Sequence, residues 1–203
     1  MTGVCRRATI SDATAVRTVA RESWHAAYSH FLERETIDSL VDDWYAVDGL
    51  EASITEAAGR ADAVFLVAEG GCDGDGDEEY NSDTDLVGFV HVVPKPDDRT
   101  VVSLVRLYVH PDCWGEGIGT VLVERALDEL ETSDGDAERR GLEVEVEVEV
   151  EVFAENEVGV RFYESRGFER VGEREEAFAG DTQTVYTYER SLEEEGEGGR
   201  QGD

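Results

Sequence analysis

Residues 142–153, LEVEVEVEVEVF, alternate apolar and acidic side chains without interruption. Successive side chains of a strand point to opposite faces, so a strand here carries its valines on one side and its glutamates on the other. The segment is about twice the mean strand length of roughly 5–6 residues. Each dipeptide is equivalent to the next, so a slip of two residues leaves the facing unchanged, and only the following FAEN, residues 153–156, fixes the register. An oligomerisation edge in a chiefly structural protein is one reading of such a strand.

The rest of the chain alternates helical and strand patterns. VCRRATI, residues 4–10, reads as a short strand. A helix capped by Ser11 or Asp12 follows, with Val16, Val19, Ala20, Trp24, Ala27 and Tyr28 at helical spacing. A second helical stretch covers residues 33–58 with a break near Gly49, and residues 63–69 and 85–95 predict an antiparallel strand pair. The acidic loop at 70–85 is rich in glycine and aspartate, but its spacing departs from a calcium-binding loop. TVVSLVRLYV, residues 100–109, is the most apolar strand, and the helix after it shares Ile118, Leu122, Ala126 and Leu130 on one face. A short helix within residues 156–168, stopped by Gly167, and strands near 168–175 and 183–190 complete the pattern. The expectation is one domain over residues 1–190 and a disordered acidic tail over 191–203. The fold class is α/β: a mixed, mainly antiparallel sheet of about six or seven strands flanked by helices.

With 49 acidic against 18 basic residues the formal net charge is -31. Such a surface repels nucleic acid and anionic membranes. Lys95 is the only lysine, and 40% of the residues are apolar, so the chain is foldable rather than an acidic disordered segment. This balance resembles proteins of salt-loving microbes, whose self-repulsion is relieved by molar salt. Cys5, Cys72 and Cys113 form no CxxC and no metal-ligand cluster with the four histidines, so neither a disulfide framework nor a metal site is expected. No window approaches 18 consecutive apolar residues, and a cytoplasmic location is expected.

Against that charge, residues 110–127, HPDCWGEGIGTVLVERAL, carry glycines at 115, 117 and 119 where a helix begins. Glycines there leave several backbone N–H groups open at a helix amino terminus, and their dipoles attract phosphate without any basic side chain. The lysine of a nucleotide-binding GxxxxGK[ST] loop is absent, and the dinucleotide pattern GxGxxG fails at Thr120.

The stretch LYVHPDCWGEGIGTVLVERAL resembles motif A of the GNAT superfamily of acetyl-CoA-dependent N-acetyltransferases: a strand, V-x-P, [RQ]-G-x-G-[IV]-G, then a helix. NEVGVRFYESRGF matches that superfamily's later N-x-x-A-x-x-F-Y-x-x-x-G-F, with Gly159 in the alanine place. The resemblance spans about residues 4–190 and includes the opening strand and first helix.

The resemblance implies an enzyme that moves an acetyl group from acetyl-CoA to a primary amine, on a small molecule or a protein amino terminus, by direct attack. Backbone groups of Leu107, Tyr108 and Val109 would pair with the acetyl and pantetheine part of the cofactor. Trp114 and the loop of Gly115, Glu116, Gly117, Ile118, Gly119 and Thr120 would hold its pyrophosphate, assisted by Asn156. Tyr163 would donate a proton to the departing thiolate, and Trp24 and Tyr28 would line the acceptor pocket. Pairing of two chains through late strands is an expectation from the family alone. Trp114 stands where arginine or glutamine is customary. Ser103 stands where many relatives place a carboxylate that activates the amine, which leaves the general base open between His91 and Glu155. The missing carboxylate points to a less basic amine. It also favours the alternative of a non-catalytic acyl-CoA-binding sensor or partner-binding module, which the retained Tyr163 opposes.

Overall fold

The computed structural model describes residues 4–70, 86–98, 101–133 and 146–192. The elements run β1 (Val4–Arg7), α1 (Ala13–Tyr28), α2 (Arg34–Trp44), α3 (Val47–Ala58), β2 (Val64–Glu69), β3 (Leu86–Pro94), β4 (Val101–Val109), α4 (Ile118–Ser133), β5 (Val146–Phe153), α5 (Glu157–Glu164), β6 (Glu169–Phe178) and β7 (Asp181–Leu192). The strands form one sheet in the order β1-β2-β3-β4-β5-β7-β6. All neighbours are antiparallel except β4 and β5.

The sheet separates two apolar cores. One face packs on α1, α2 and α3 through Val16, Val19, Trp24, Ile37, Val41 and Ile54. The other packs on α4 through Leu122, Ala126 and Leu130, and on α5 through Tyr163. The α1 and α4 faces are those that the helical spacing predicts, each burying an i, i+4 stripe against the sheet.

The alternating segment is a strand, but an interior one. Over its described part, Val146–Phe153, β5 pairs along its whole length with β7 and at its start with β4. Val148, Val150 and Val152 are buried between sheet and helices, so the described part lies inside the sheet rather than at its edge. Where the repeat strand begins lies outside the described residues, as does nearly all of the acidic loop.

Three expectations are corrected. The break in the second helical stretch falls at Tyr45 and Ala46 rather than Gly49, which sits inside α3. Tyr45 is pulled into the core, accepting the Trp24 indole N–H at 3.4 Å and packing edge-on against Tyr108, so the chain turns there. Ser191 and Leu192, read as tail, pair with Glu147 and Val146 at the end of β7; the remaining tail residues lie outside the described ones. Cys113 is disulfide-bonded, while Cys5 is a free thiol.

α1 is anchored at its start by charge. Asp12 accepts from the Thr9 N–H at 2.7 Å and takes two guanidinium bonds from Arg6, at 2.8 and 2.9 Å. The Arg6 bonds pull the Asp12 carboxyl down from near 3.8 to about 2. A folded-state value below the ordinary one contributes stability above pH about 4, which is lost as pH falls toward 2. Asp12→Asn is therefore expected to destabilise the protein at neutral pH by about 2 kcal/mol, with the difference from wild type vanishing as pH approaches 2. Denaturant midpoints of both proteins across that range check it, and a pH-independent gap would contradict the assignment.

Candidate active site

β4 and β5 pair only where Val101–Ser103 meet Glu147–Glu149, and beyond Ser103 they separate. β5 stays locked to β7 throughout. The register of β4 against β3 shifts between His91 and Val92, which leaves Val105 unpaired and 48% exposed. Each strand follows its other neighbour, and a wedge opens between them.

The orientation of the β4 backbone follows from one bond. His110 N–H donates to the Val87 carbonyl at 2.8 Å, and in register Val109 lies opposite Gly88 and Tyr108 opposite Phe89. Bonded and non-bonded pairs alternate in an antiparallel ladder. Leu107 and Val109 therefore turn their N–H and C=O groups into the wedge, whereas those of Tyr108 face β3. The backbone groups of Tyr108, expected to pair with the cofactor, are thus turned to β3, while the residue lines both cavities. The Val109 carbonyl accepts from the Ser23 hydroxyl at 2.9 Å and the Trp114 indole N–H at 2.7 Å. Only the Val109 N–H is left to a ligand.

Past β4, Gly115 and Gly117 adopt φ of +86° and +83°, where a Cβ would meet nothing within 4 Å. Backbone conformation, not crowding, calls for glycine there. The first backbone bond of α4 runs from Val121 N–H to the Gly117 carbonyl, 3.1 Å, so the N–H groups of Ile118, Gly119 and Thr120 are the open donors of a helix start. They rim a cleft of about 290 Å³ lined also by Leu107, Val109, Trp114, Asn156 and Tyr163. Glu116 lies outside that lining.

Asn156 caps α5. Its Oδ1 accepts from Gly159 N–H at 2.9 Å and its Nδ2 donates to the Tyr28 hydroxyl at 3.1 Å. A Cβ at residue 159 would lie 2.8 Å from that Nδ2 and 3.2 Å from Val152, so an alanine at 159 would require the Asn156 side chain to shift. Tyr163, 7% exposed, is held edge-on by Phe162 and Phe168. Burial, with Tyr28 nearby, pushes its phenol well above the usual range, so it keeps its proton at neutral pH. Arg166 closes the cleft beside Thr120, donating Nε–H to the threonine hydroxyl at 3.0 Å and lying over the Phe162 ring.

On the α1 side of the wedge a second cavity of about 770 Å³ is walled by Trp24, Tyr28, Trp44, Tyr45 and Tyr108. Tyr28, Arg106, Tyr108 and Glu151 line both cavities.

Residues 61–170 match the acetyltransferase (GNAT) domain family. The chain belongs to this family. As a GNAT protein it is an acetyl-CoA-dependent acetyltransferase. A spermidine N(1)-acetyltransferase of Thermoplasma acidophilum is 27% identical over 163 residues, 80% of this chain and 86% of that one. Among solved structures, the PaiA N-acetyltransferase of the same organism, in complex with coenzyme A, superposes with a TM-score of 0.68 at 24% identity, covering 95% of this chain and all of that one. A GNAT phosphinothricin acetyltransferase from Sinorhizobium meliloti, in complex with acetyl-CoA, gives 0.63 at 16% identity, covering 95% and 89%.

The residues present in this GNAT site fit acetyl-CoA. Open helix-start N–H groups suit a pyrophosphate, and the strand donors of Leu107 and Val109 suit an amide-bearing arm. Of the two candidate bases, neither is placed for the role. His91 lines the second cavity, but burial, with Arg106 adjacent, pulls it down to about 3. Glu155 lines neither cavity and turns one carboxylate oxygen into the protein with no hydrogen-bond partner.

Sequence reasoning missed Arg106 and Arg166, which no motif marks, and Glu149 and Glu151. The repeat disguised the glutamates as a uniform solvent face. Their position becomes visible only once the parallel pairing sets Glu149 opposite Ser103.

Proposed function

We propose that this GNAT acetyltransferase moves the acetyl group of acetyl-CoA directly onto a primary amine, of a small molecule or a protein amino terminus, without a covalent enzyme intermediate. The observation that carries this reading is the meeting of two cavities at Tyr28, Arg106, Tyr108 and Glu151: one takes a phosphate-bearing arm along β4, and the other receives an amine from the α1 side. The name of the Thermoplasma relative, a spermidine N(1)-acetyltransferase, agrees with a primary-amine acceptor.

Acetyl-CoA supplies the acetyl group already activated as a thioester. In this reading the loop amides of Gly115, Gly117, Ile118, Gly119 and Thr120 hold its pyrophosphate while Trp114 and Asn156 shape the walls; the Glu116 N–H, expected among them, is taken by the Cys113 carbonyl. The Val109 N–H donates toward the acetyl oxygen, a fixed donor aimed where negative charge develops. Tyr163 holds a proton at its hydroxyl for the departing sulfur. Trp24 and Tyr28 seat the acceptor. With Ser103 in the carboxylate place, an amine of lower basicity is favoured. Losing a proton at pH 7 costs a lysine side chain roughly 4–5 kcal/mol and a peptide amino terminus about 1.

Arg166 adds a cation to the phosphate end that the amide dipoles alone would otherwise supply. Arg166→Ala is expected to weaken acetyl-CoA binding about tenfold, the scale of a charge-assisted hydrogen bond, and to leave S-acetylpantetheine, which has no pyrophosphate, unaffected. Calorimetric titration with both ligands checks this, and equal losses for the two would contradict a phosphate contact.

The reading as a whole is tested by offering labelled acetyl-CoA and a cell extract in concentrated potassium chloride. Label in small amines or on protein amino termini supports it. An unlabelled extract, despite calorimetric binding of acetyl-CoA, would overturn it.

A further inference from the structure

The acceptor cavity is lined by six charged side chains that lack equal standing. Lys95 pairs with Glu149 at 2.6 Å. Arg174 takes both Glu151, at 3.0 Å, and Glu176, at 2.7 Å. Arg106 is the sixth, and no carboxylate among the described residues lies within ion-pair distance of it. Its contacts are the Trp44 carbonyl at 3.4 Å, His91 Nδ1 at 3.3 Å and the face of the Tyr45 ring, 5.4 Å away.

None of these contacts neutralises the guanidinium. His91 accepts through Nδ1 and is held neutral by burial. A backbone carbonyl and an aromatic face are dipolar or quadrupolar partners, and both bonds are long. In a chain with 49 acidic and 18 basic residues, arginines typically find carboxylates, as Arg6, Arg17, Arg60 and Arg174 do. A guanidinium left over in a cavity, with planar donors suited to a carboxylate, marks where an anion belongs.

Its position supports the same reading. Arg106 lies beside the unpaired Val105, where β4 leaves β5, and lines both cavities. An anionic group held there sits at the rim of the gap into which the acceptor amine must reach. A polyamine, by contrast, needs unpaired carboxylates along its length, and Glu149, Glu151 and Glu176 are each already paired with a cation.

We propose that the acceptor is a small amino acid, a molecule with a carboxylate beside its primary amine, anchored through that carboxylate by Arg106 against the aromatic wall of the second cavity. This rests on the acetyl-transfer reading above.

The test compares L-phenylalanine and L-methionine with their carboxamides, and with spermidine, as acceptors for wild type, Arg106→Gln and Arg106→Lys. An amide has the less basic amine and is chemically favoured, so preference for the acid reports the anchor. Wild type is expected to prefer the acids by about tenfold in kcat/KM, Arg106→Gln to lose that preference, and Arg106→Lys to recover part of it. A ratio within each protein is insensitive to the fraction folded. Equal or better use of the amides by wild type, or spermidine turnover indifferent to Arg106→Gln, would overturn the anchor while leaving acetyl transfer intact. Binding of 3-phenylpropionate, which has no amine, is followed alongside by calorimetry. Arg106-dependent binding of it without transfer to any acceptor supports the anchor and overturns the transfer reading. Neither binding nor transfer overturns both.

Discussion

Tyr163→Phe is expected to lower kcat for acetyl transfer at least about tenfold, the lower side of general acid contributions, while acetyl-CoA binds as in wild type. The substitution removes one oxygen and keeps the ring, whose edge-on contacts with Phe162, Phe168 and the rest of the second core hold α5 in place. Packing and the Asn156 cap are therefore retained, and what disappears is the proton at the end of the cleft. No protein group among the described residues hydrogen-bonds that hydroxyl, so it is free to meet a ligand atom. Burial raises the phenol far enough that its titration lies beyond the ordinary working range. The wild-type rate should thus show no alkaline loss attributable to Tyr163 below pH about 10. The same desolvation acts on a thiolate leaving group, making it a stronger base at the moment it needs the proton. Unchanged kcat in the variant would remove Tyr163 from the chemistry and leave it a wall of the pocket. A raised Kd for acetyl-CoA with unchanged kcat would make it a binding residue instead.

The parts of the fold legible in the sequence are those with a strict period. The apolar stripe of α4 and that of α1, the alternation of β5 and the glycine run at 115–119 each admit one local structure, and all four form as expected. Tyr45 shows the limit. A break in a helical stretch is read from glycine, but here the turn is made where an aromatic ring is drawn into the core, a tertiary effect that Gly49 does not signal. The site divides in the same way. Backbone elements that open N–H groups leave traces as glycine and proline, so the glycine loop at the start of α4 was legible. Side chains that act from a strand face leave none, and Arg106 is one arginine among many until β4 is seen to part from β5. Glu149 and Glu151 were hidden by their own regularity, since any glutamate of the repeat looks like its neighbours until a partner strand selects two of them. Tyr108 failed for a subtler reason. Three successive residues cannot all turn their backbone to one side of a strand, so only alternate ones can serve the same ligand.

In dilute buffer the protein is expected to be far less stable than in concentrated potassium chloride, with Tm rising by about 10 °C or more between 0.1 M and molar salt. Two electrostatic effects oppose each other. Salt weakens ion pairs such as Arg6–Asp12, Arg7–Glu129, Arg17–Asp42 and Lys95–Glu149, and it also weakens repulsion among carboxylates. Surface pairs contribute between roughly 0 and 1 kcal/mol each, and the 18 basic residues limit their number. Repulsion arises from a formal net charge of -31 and is felt between every pair of unmatched acids within a Debye length, about 10 Å at 0.1 M and 3 Å at 1 M. On β6 alone, Glu169, Glu173, Glu175 and Glu176 stand on an exposed edge strand with only Arg170 and Arg174 among them. Unfolding spreads these charges apart, so screening favours the folded state more than it costs the pairs. At 2–4 °C per kcal/mol for a chain of this size, a net gain of roughly 3–5 kcal/mol gives the stated shift. Molar sucrose, which is excluded from the protein surface but carries no charge, separates charge screening from stronger apolar burial. A Tm raised as much by sucrose as by potassium chloride would assign the effect to burial, and a Tm that falls in potassium chloride would show that the ion pairs outweigh the repulsion.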